Sequence, residues 1–184
     1  MTIQIKRYAA AEFDAITALP ENADKLLELI GGEIVEAPSN PYSSELAATI
    51  SFFIKLYLRE HGLPGHVTGE AGGYRVEEER YAPDVAFVSQ DKQPKLPSEG
   101  YNPSPPDLAV EVVSPSAVEK RLRFKIANYL AAGTLVWVVY PQTKEVEIYT
   151  PGQRARIVGI GEILDGGETL PGFALPVKDI FPAE

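Results

Sequence analysis

The chain has no cysteine, which excludes disulfide staples, zinc ribbons, iron–sulfur clusters and thiol nucleophiles. It has only two histidines, His61 and His66, too few for a histidine-rich metal site. Any metal would therefore be held mainly by oxygen, which suits magnesium, manganese or calcium better than zinc. Nowhere do about 20 apolar residues follow one another, and the opening MTIQIKRYAAAEF lacks the apolar run of a signal peptide. A cytoplasmic protein without a membrane span is the expectation. Positive charge is scarce as well. Seventeen Lys and Arg against 26 Asp and Glu give a net charge of −9, which argues against broad nucleic-acid binding driven by charge alone and leaves room only for a local basic patch.

What is present fits one soluble globular domain over residues 1–184, with 45% hydrophobic and 23% charged residues. No internal repeat is visible, and the Pro-rich loop between Gln93 and Pro106 is the one low-complexity stretch. Lys25–Ala37 holds two short apolar runs around Gly31-Gly32, the pattern of a hairpin with Glu33 and Glu36 on its second strand. From Pro41 to His61 apolar residues recur at helical steps, with Ser43 or Ser44 as cap and Gly62 as stop. HVTGE, GYRV and DVAFV read as strands, and Asp107–Val113 as a strand buried on both faces. Ser114-Pro115-Ser116 opens a second helix carrying Leu122, Ile126, Tyr129 and Leu130, ended by Gly133 and followed by the buried strand Leu135–Tyr140. Strand, helix and strand in that order predict a parallel pair in one sheet. EVEIYT and RARIVGI extend the sheet, and the tail after Glu168 is expected to pack along the domain edge.

Glu111 interrupts an otherwise apolar strand, and a carboxylate facing a sheet interior costs several kcal/mol unless it is paired, protonated or bound to a cation. Asp84 starts another strand directly after Pro83, so a neighbouring strand can bring it beside Glu111. Two carboxylates so placed repel each other, and a divalent cation relieves the repulsion. A second reading stands beside this one: Asp84 is a solvated strand start, and Glu111 forms an ion pair with Lys125 or Arg123 of the following helix. Lys120, Arg121, Arg123 and Lys125 make the only dense basic cluster of the chain, and the stem of Lys125 can run along the sheet toward the carboxylates.

The strings PDVAFV at Pro83–Val88 and PDLAVEVVSPS at Pro106–Ser116, followed by Lys125, Tyr129, Gly133 and LVWVVYP, resemble the large bacterial family of restriction-endonuclease-like proteins called Uma-type. That family is a branch of the PD-(D/E)XK nuclease superfamily. GGEIVEAP and LPGFALPV extend the likeness over about Leu26 to Phe181. The resemblance implies an α/β fold with a restriction-endonuclease-like mixed β-sheet core, flanking helices and an N-terminal β-hairpin. It implies Asp84 and Glu111 as metal ligands with the carbonyl of Val112 as a third, and Mg2+ or Mn2+ as cofactor. The motif lysine is absent at Val113, and in this branch it stands on the following helix, at Lys125. Glu33 matches a further acidic residue, either a metal ligand, a water-positioning group or a solvated hairpin glutamate. Where many relatives carry a histidine this chain has Ser44, Glu45 and Leu46, with Glu45 as a weak substitute, and His61 and His66 match nothing catalytic.

The implied function is Mg-dependent hydrolysis of DNA phosphodiester bonds, with Lys120, Arg121 and Arg123 as nucleic-acid contacts. The resemblance also implies a homodimer, and Tyr42, Phe52, Tyr57 and Tyr101 are candidate interface aromatics. The competing reading is a catalytically silent DNA-binding or protein-interaction module that keeps the fold, favoured by Val113 and the net acidity. A hydrolase of smaller phosphoesters ranks last, because the chain has no Gly-rich phosphate loop and GEAGGY is too irregular to count.

Overall fold

The computed structural model describes residues 6–36, 40–114 and 118–182. Helix α1 (Ala10–Thr17) precedes strands β1 (Leu27–Ile30) and β2 (Glu33–Glu36) and the long helix α2 (Pro41–Glu60). Strands β3 (Gly65–Gly69), β4 (Tyr74–Val76), β5 (Glu79–Tyr81), β6 (Val85–Ser89) and β7 (Leu108–Val112) lead to helix α3 (Glu119–Ala131). Strands β8 (Leu135–Tyr140), β9 (Glu145–Tyr149), β10 (Arg156–Val158), β11 (Ile163–Gly166) and β12 (Leu170–Pro176) complete the chain.

A six-stranded sheet in the order β10-β9-β8-β7-β6-β3 forms the centre. β7 and β8 are parallel and joined through α3, as the strand–helix–strand order predicts, while the other neighbours are antiparallel. All five residues of β7 are buried. Side chains alternate across it. Val85, Val110, Trp137 and Val139 pack on one face against Leu46, Ile50 and Ile54 of α2, and Ala109, Val136 and Val138 pack on the other against Ile126 and Tyr129 of α3.

The predicted hairpin forms as β1 and β2, with Gly31 and Gly32 at φ 60° and 80°, the left-handed pair that a two-residue turn of this hand requires. It belongs to a second sheet, β2-β1-β5-β4. The cap of α2 is Asn40 rather than Ser43 or Ser44: its side chain accepts the Ser43 amide at 3.0 Å, ahead of Pro41 in the first turn. The opening of the second helix at Pro115 and Ser116 lies outside the described residues. The tail differs from expectation. β11 and β12 pair with each other, and Leu164, Leu170, Phe173, Leu175, Val177, Ile180 and Phe181 enter the main core beneath α2, so this segment builds the interior rather than an edge. No described helix is long and apolar enough to cross a membrane.

Candidate active site

Ala82, Pro83 and Asp84 form the short passage by which the chain leaves β5 in one sheet and enters β6 in the other. Val85 pairs with Val110, so the same antiparallel register carries Asp84 opposite Glu111, on the sheet face that α3 covers. Asp84 is half-buried, and its Oδ2 accepts the backbone N–H of Val112 at 2.6 Å, which ties the passage to the end of β7.

From α3, Lys125 turns inward and is only 5% exposed. Its ammonium donates to Glu111 Oε2 at 2.7 Å, and Tyr129, one helical turn on, donates its hydroxyl to Glu111 Oε1 at 3.1 Å. The expected ion pair between Glu111 and Lys125 therefore exists, while Asp84, half-buried and bonded to the Val112 amide, is not the solvated strand start of that reading and lies within electrostatic reach of Glu111. Arg123 takes no part, since it points to solvent and pairs with Glu119.

Glu28 is the residue that sequence reasoning missed. It lies within the buried strand LELI, and its Oε1 accepts both the Lys125 ammonium at 2.9 Å and the Ala82 amide at 2.8 Å. The signal was the one that singled out Glu111, a carboxylate inside an apolar run. Tyr81 closes the group: its ring lies 5.4 Å from the Lys125 nitrogen and edge-on to Tyr129, and Asn128 donates to its hydroxyl.

Glu28 and Glu111 thus bracket one ammonium in a region largely closed to water, and Asp84 lies within electrostatic reach of that group without touching the ammonium. Burial pushes the Asp84 carboxyl up to about 6, against the opposing pull of the Val112 amide and the Lys125 charge. Burial also raises Glu111, Lys125 opposes it, and Glu28 and Asp84 push the same way as burial. Burial pulls Lys125 down, yet Glu111 and Glu28 together hold it above its ordinary value, so the ammonium keeps its proton. Carboxylates in excess of ammonium in a low-dielectric region are the physical condition that draws in a cation. Among the described residues no group of three or more His, Asp or Glu side chains is arranged as a ready-made metal cage, which leaves at most two side-chain ligands with backbone and water to complete a shell.

The remaining candidates lie apart from this cluster. Glu33 is on the hairpin, over a third exposed, and accepts from Arg121 at 3.1 Å. Lys120 is exposed on α3, and Glu45 is exposed near the start of α2. His61 contacts the Tyr57 carbonyl and His66 the Gln93 carbonyl, in line with a packing role for both. Of the four aromatics, Phe52 is 58% and Tyr42 40% exposed, whereas Tyr57 hydrogen-bonds the Pro171 carbonyl and Tyr101 the Leu27 carbonyl.

A family model described as "Uma2: Putative restriction endonuclease" matches residues 10–178. The chain belongs to the Uma2 family. One solved structure, described as a "putative nuclease belonging to DUF820 from Anabaena variabilis ATCC 29413", superposes with a TM-score of 0.79, covering 94% of this chain and 97% of that one at 20% identity. At that identity the likeness speaks for the fold, and it bears out the mixed-sheet, restriction-endonuclease-like architecture expected from the PD strings. A comparison with curated proteins finds no significant match. Within the Uma2 match fall both sheets, the whole cluster around Lys125 and the basic turn of α3.

Proposed function

We propose that this Uma2 protein is a metal-dependent nuclease that hydrolyses DNA phosphodiester bonds. The observation that carries the reading is the convergence of Asp84, Glu111 and Lys125, from the start of β6, from β7 and from α3: Lys125 bonds Glu111, and Asp84 bonds the amide next to it. The donors fit a hard divalent cation: they are all oxygen, and the carboxylates outnumber the ammonium. Asp84 and Glu111, with the carbonyl of Val112, would hold Mg2+ or Mn2+. When bound, such an ion polarises the scissile phosphate and lowers the pKa of a coordinated water.

The chain's own residues supply the rest. Lys125, kept protonated by its two carboxylates, orients the attacking water and offers a positive charge to the phosphate. Glu33 sits on the hairpin as an outer carboxylate that positions water, held in place by Arg121. Lys120, Arg121 and Arg123 lie on the helix that delivers Lys125, and the exposed Arg123–Glu119 pair is weak enough to yield to a DNA phosphate. A second copy, docked through the exposed Phe52 and Tyr42, would provide the second strand cut.

A silent module is the second reading. It is favoured by the same cluster, because both oxygens of Glu111 already have protein partners. Incubation of supercoiled, linear and single-stranded DNA with the protein and Mg2+ or Mn2+ separates the two. The nuclease reading expects cleavage that chelator abolishes; metal-independent binding with no cleavage on any substrate favours the silent module.

The basic turn makes a separate prediction. Changing Lys120, Arg121 and Arg123 together to alanine is expected to weaken DNA binding for every sequence alike. The slope of log K against log salt should become shallower by about 0.9 for each phosphate that the variant no longer neutralises. Fluorescence anisotropy across a salt series checks this, and an unchanged slope would place the DNA elsewhere on the surface.

A further inference from the structure

Glu28 is a buried carboxylate that the proposed chemistry uses only as a counter-charge to Lys125. Burying it costs several kcal/mol unless its partners compensate, and its partners are the two segments on which the proposed site depends. One oxygen receives both hydrogen bonds, from Lys125 on α3 and from the Ala82 amide, two residues before Asp84. Together these bonds close a ring. Glu28 holds Lys125, Lys125 holds Glu111 on β7, the neighbouring Val112 amide holds Asp84, and the backbone returns from Asp84 to Ala82 and so to Glu28. The ring also joins the two sheets, since β1 and β5 belong to one and β6 and β7 to the other.

We infer that Glu28 is a positioning residue for the proposed nuclease site: from the hairpin it holds the Lys125 ammonium and the backbone leading to Asp84 at their working distance from Glu111. The inference rests on the nuclease reading for its consequence in catalysis, and on the hydrogen bonds alone for its consequence in structure. A carboxylate is needed here rather than an amide. Glu28 and Glu111 draw the ammonium from two sides, and with a neutral residue at 28 the balance tips wholly toward Glu111. Lys125 then collapses onto a carboxylate that the cation also requires.

Glu28→Gln keeps the shape and an acceptor oxygen for Ala82 but removes the charge. It is expected to lower kcat by about 10²-fold, the scale of a misplacement of about 1 Å, while KM changes by less than about twofold. A residue that acts through Lys125 has a further mark: placed in a Lys125→Met background, Glu28→Gln should produce no additional loss of kcat. Additive losses would overturn the inference. The metal-free protein gives a readout independent of turnover. The Lys125 ζ-ammonium should be visible by NMR in the wild type because it is buried and doubly bonded. In Glu28→Gln its signal should shift or be lost to solvent exchange, and the Ala82 amide proton should move upfield. Unchanged Lys125 and Ala82 resonances would overturn the inference whatever the kinetics. If Glu28→Gln does not fold, Glu28→Asp keeps the charge on a shorter stem and should displace the same two resonances. Should the wild type cleave no DNA with either metal, the nuclease reading falls, and the NMR comparison by itself decides whether Glu28 holds Lys125.

Discussion

Lys125→Met is expected to destabilise the fold by about 3 to 5 kcal/mol, the cost of stripping one partner from a buried ion-pair network. Methionine nearly matches the lysine stem in volume, so packing beside Tyr81 survives and the loss is electrostatic. The side chains of Glu28 and Glu111 are 7% and 12% exposed and would be left without their shared counter-charge. For a chain of this size each kcal/mol is worth about 2 to 4 °C in melting temperature, so a drop of roughly 6 to 20 °C should be seen by calorimetry or circular dichroism. The deficit should narrow as the pH falls. Burial already raises the Glu111 carboxyl and only Lys125 opposes it strongly, so without the ammonium Glu111 favours its protonated form in the folded state; the native protein then binds more protons than the unfolded chain, and its relative stability rises toward acid. A melting temperature within about 2 °C of wild type at neutral pH would mean that the buried network contributes little to stability.

Asp84→Asn is expected to separate function from stability. Asparagine keeps an oxygen for the Val112 amide, so the passage between β5 and β6 stays anchored. On the proposed reading a carboxylate ligand is lost with it, and several kcal/mol of transition-state stabilisation corresponds to a fall of about 10³-fold or more in cleavage rate. Stability should move the other way. Because the folded-state pKa of Asp84 lies near 6, above its unfolded value of 3.8, the native state holds the proton longer and the wild type loses stability as pH rises from about 4 through 6. The asparagine variant has no such proton to lose. In metal-free buffer it should match the wild type in acid and be at least as stable above pH 6, the pattern of a site kept for activity at the expense of stability. Urea titrations at about pH 4.5 and about pH 7.5, on either side of that range, measure this directly. A variant less stable than wild type at the higher pH would assign Asp84 a structural role instead.

Much of the fold is readable from the sequence because it rests on local chemistry. A Gly-Gly pair between apolar runs specifies the hairpin turn, and the helical spacing of Leu46, Ile50, Phe53, Tyr57 and Leu58 specifies the inward side of α2, to which the structure adds Ile54 while leaving Phe53 and Tyr57 partly buried. Glu111 stands out because it breaks a strand that is otherwise uniformly apolar. Glu28 breaks LELI in the same way, but a hairpin strand is normally half-exposed, and only the packing of α3 over the second sheet buries it. Helix α1 has no periodic signal, since Phe13 is its one buried residue. β5 is three residues long with Arg80 at its centre, and that arginine is buried only because Asp14 of α1 pairs with it, an interaction across 66 positions that no local pattern contains. The closing hairpin reads as an edge because of its prolines and glycines, yet these shape β12 without keeping Phe173 and Leu175 from the core.

The central claim is that Asp84 and Glu111 form a cation site beside a fixed ammonium, and titration calorimetry with MnCl2 tests it most directly. Wild-type protein should bind the ion with measurable heat, and Asp84→Asn, folded and melting no lower, should not. Equal heats from the two proteins, or none from the wild type, would contradict the account.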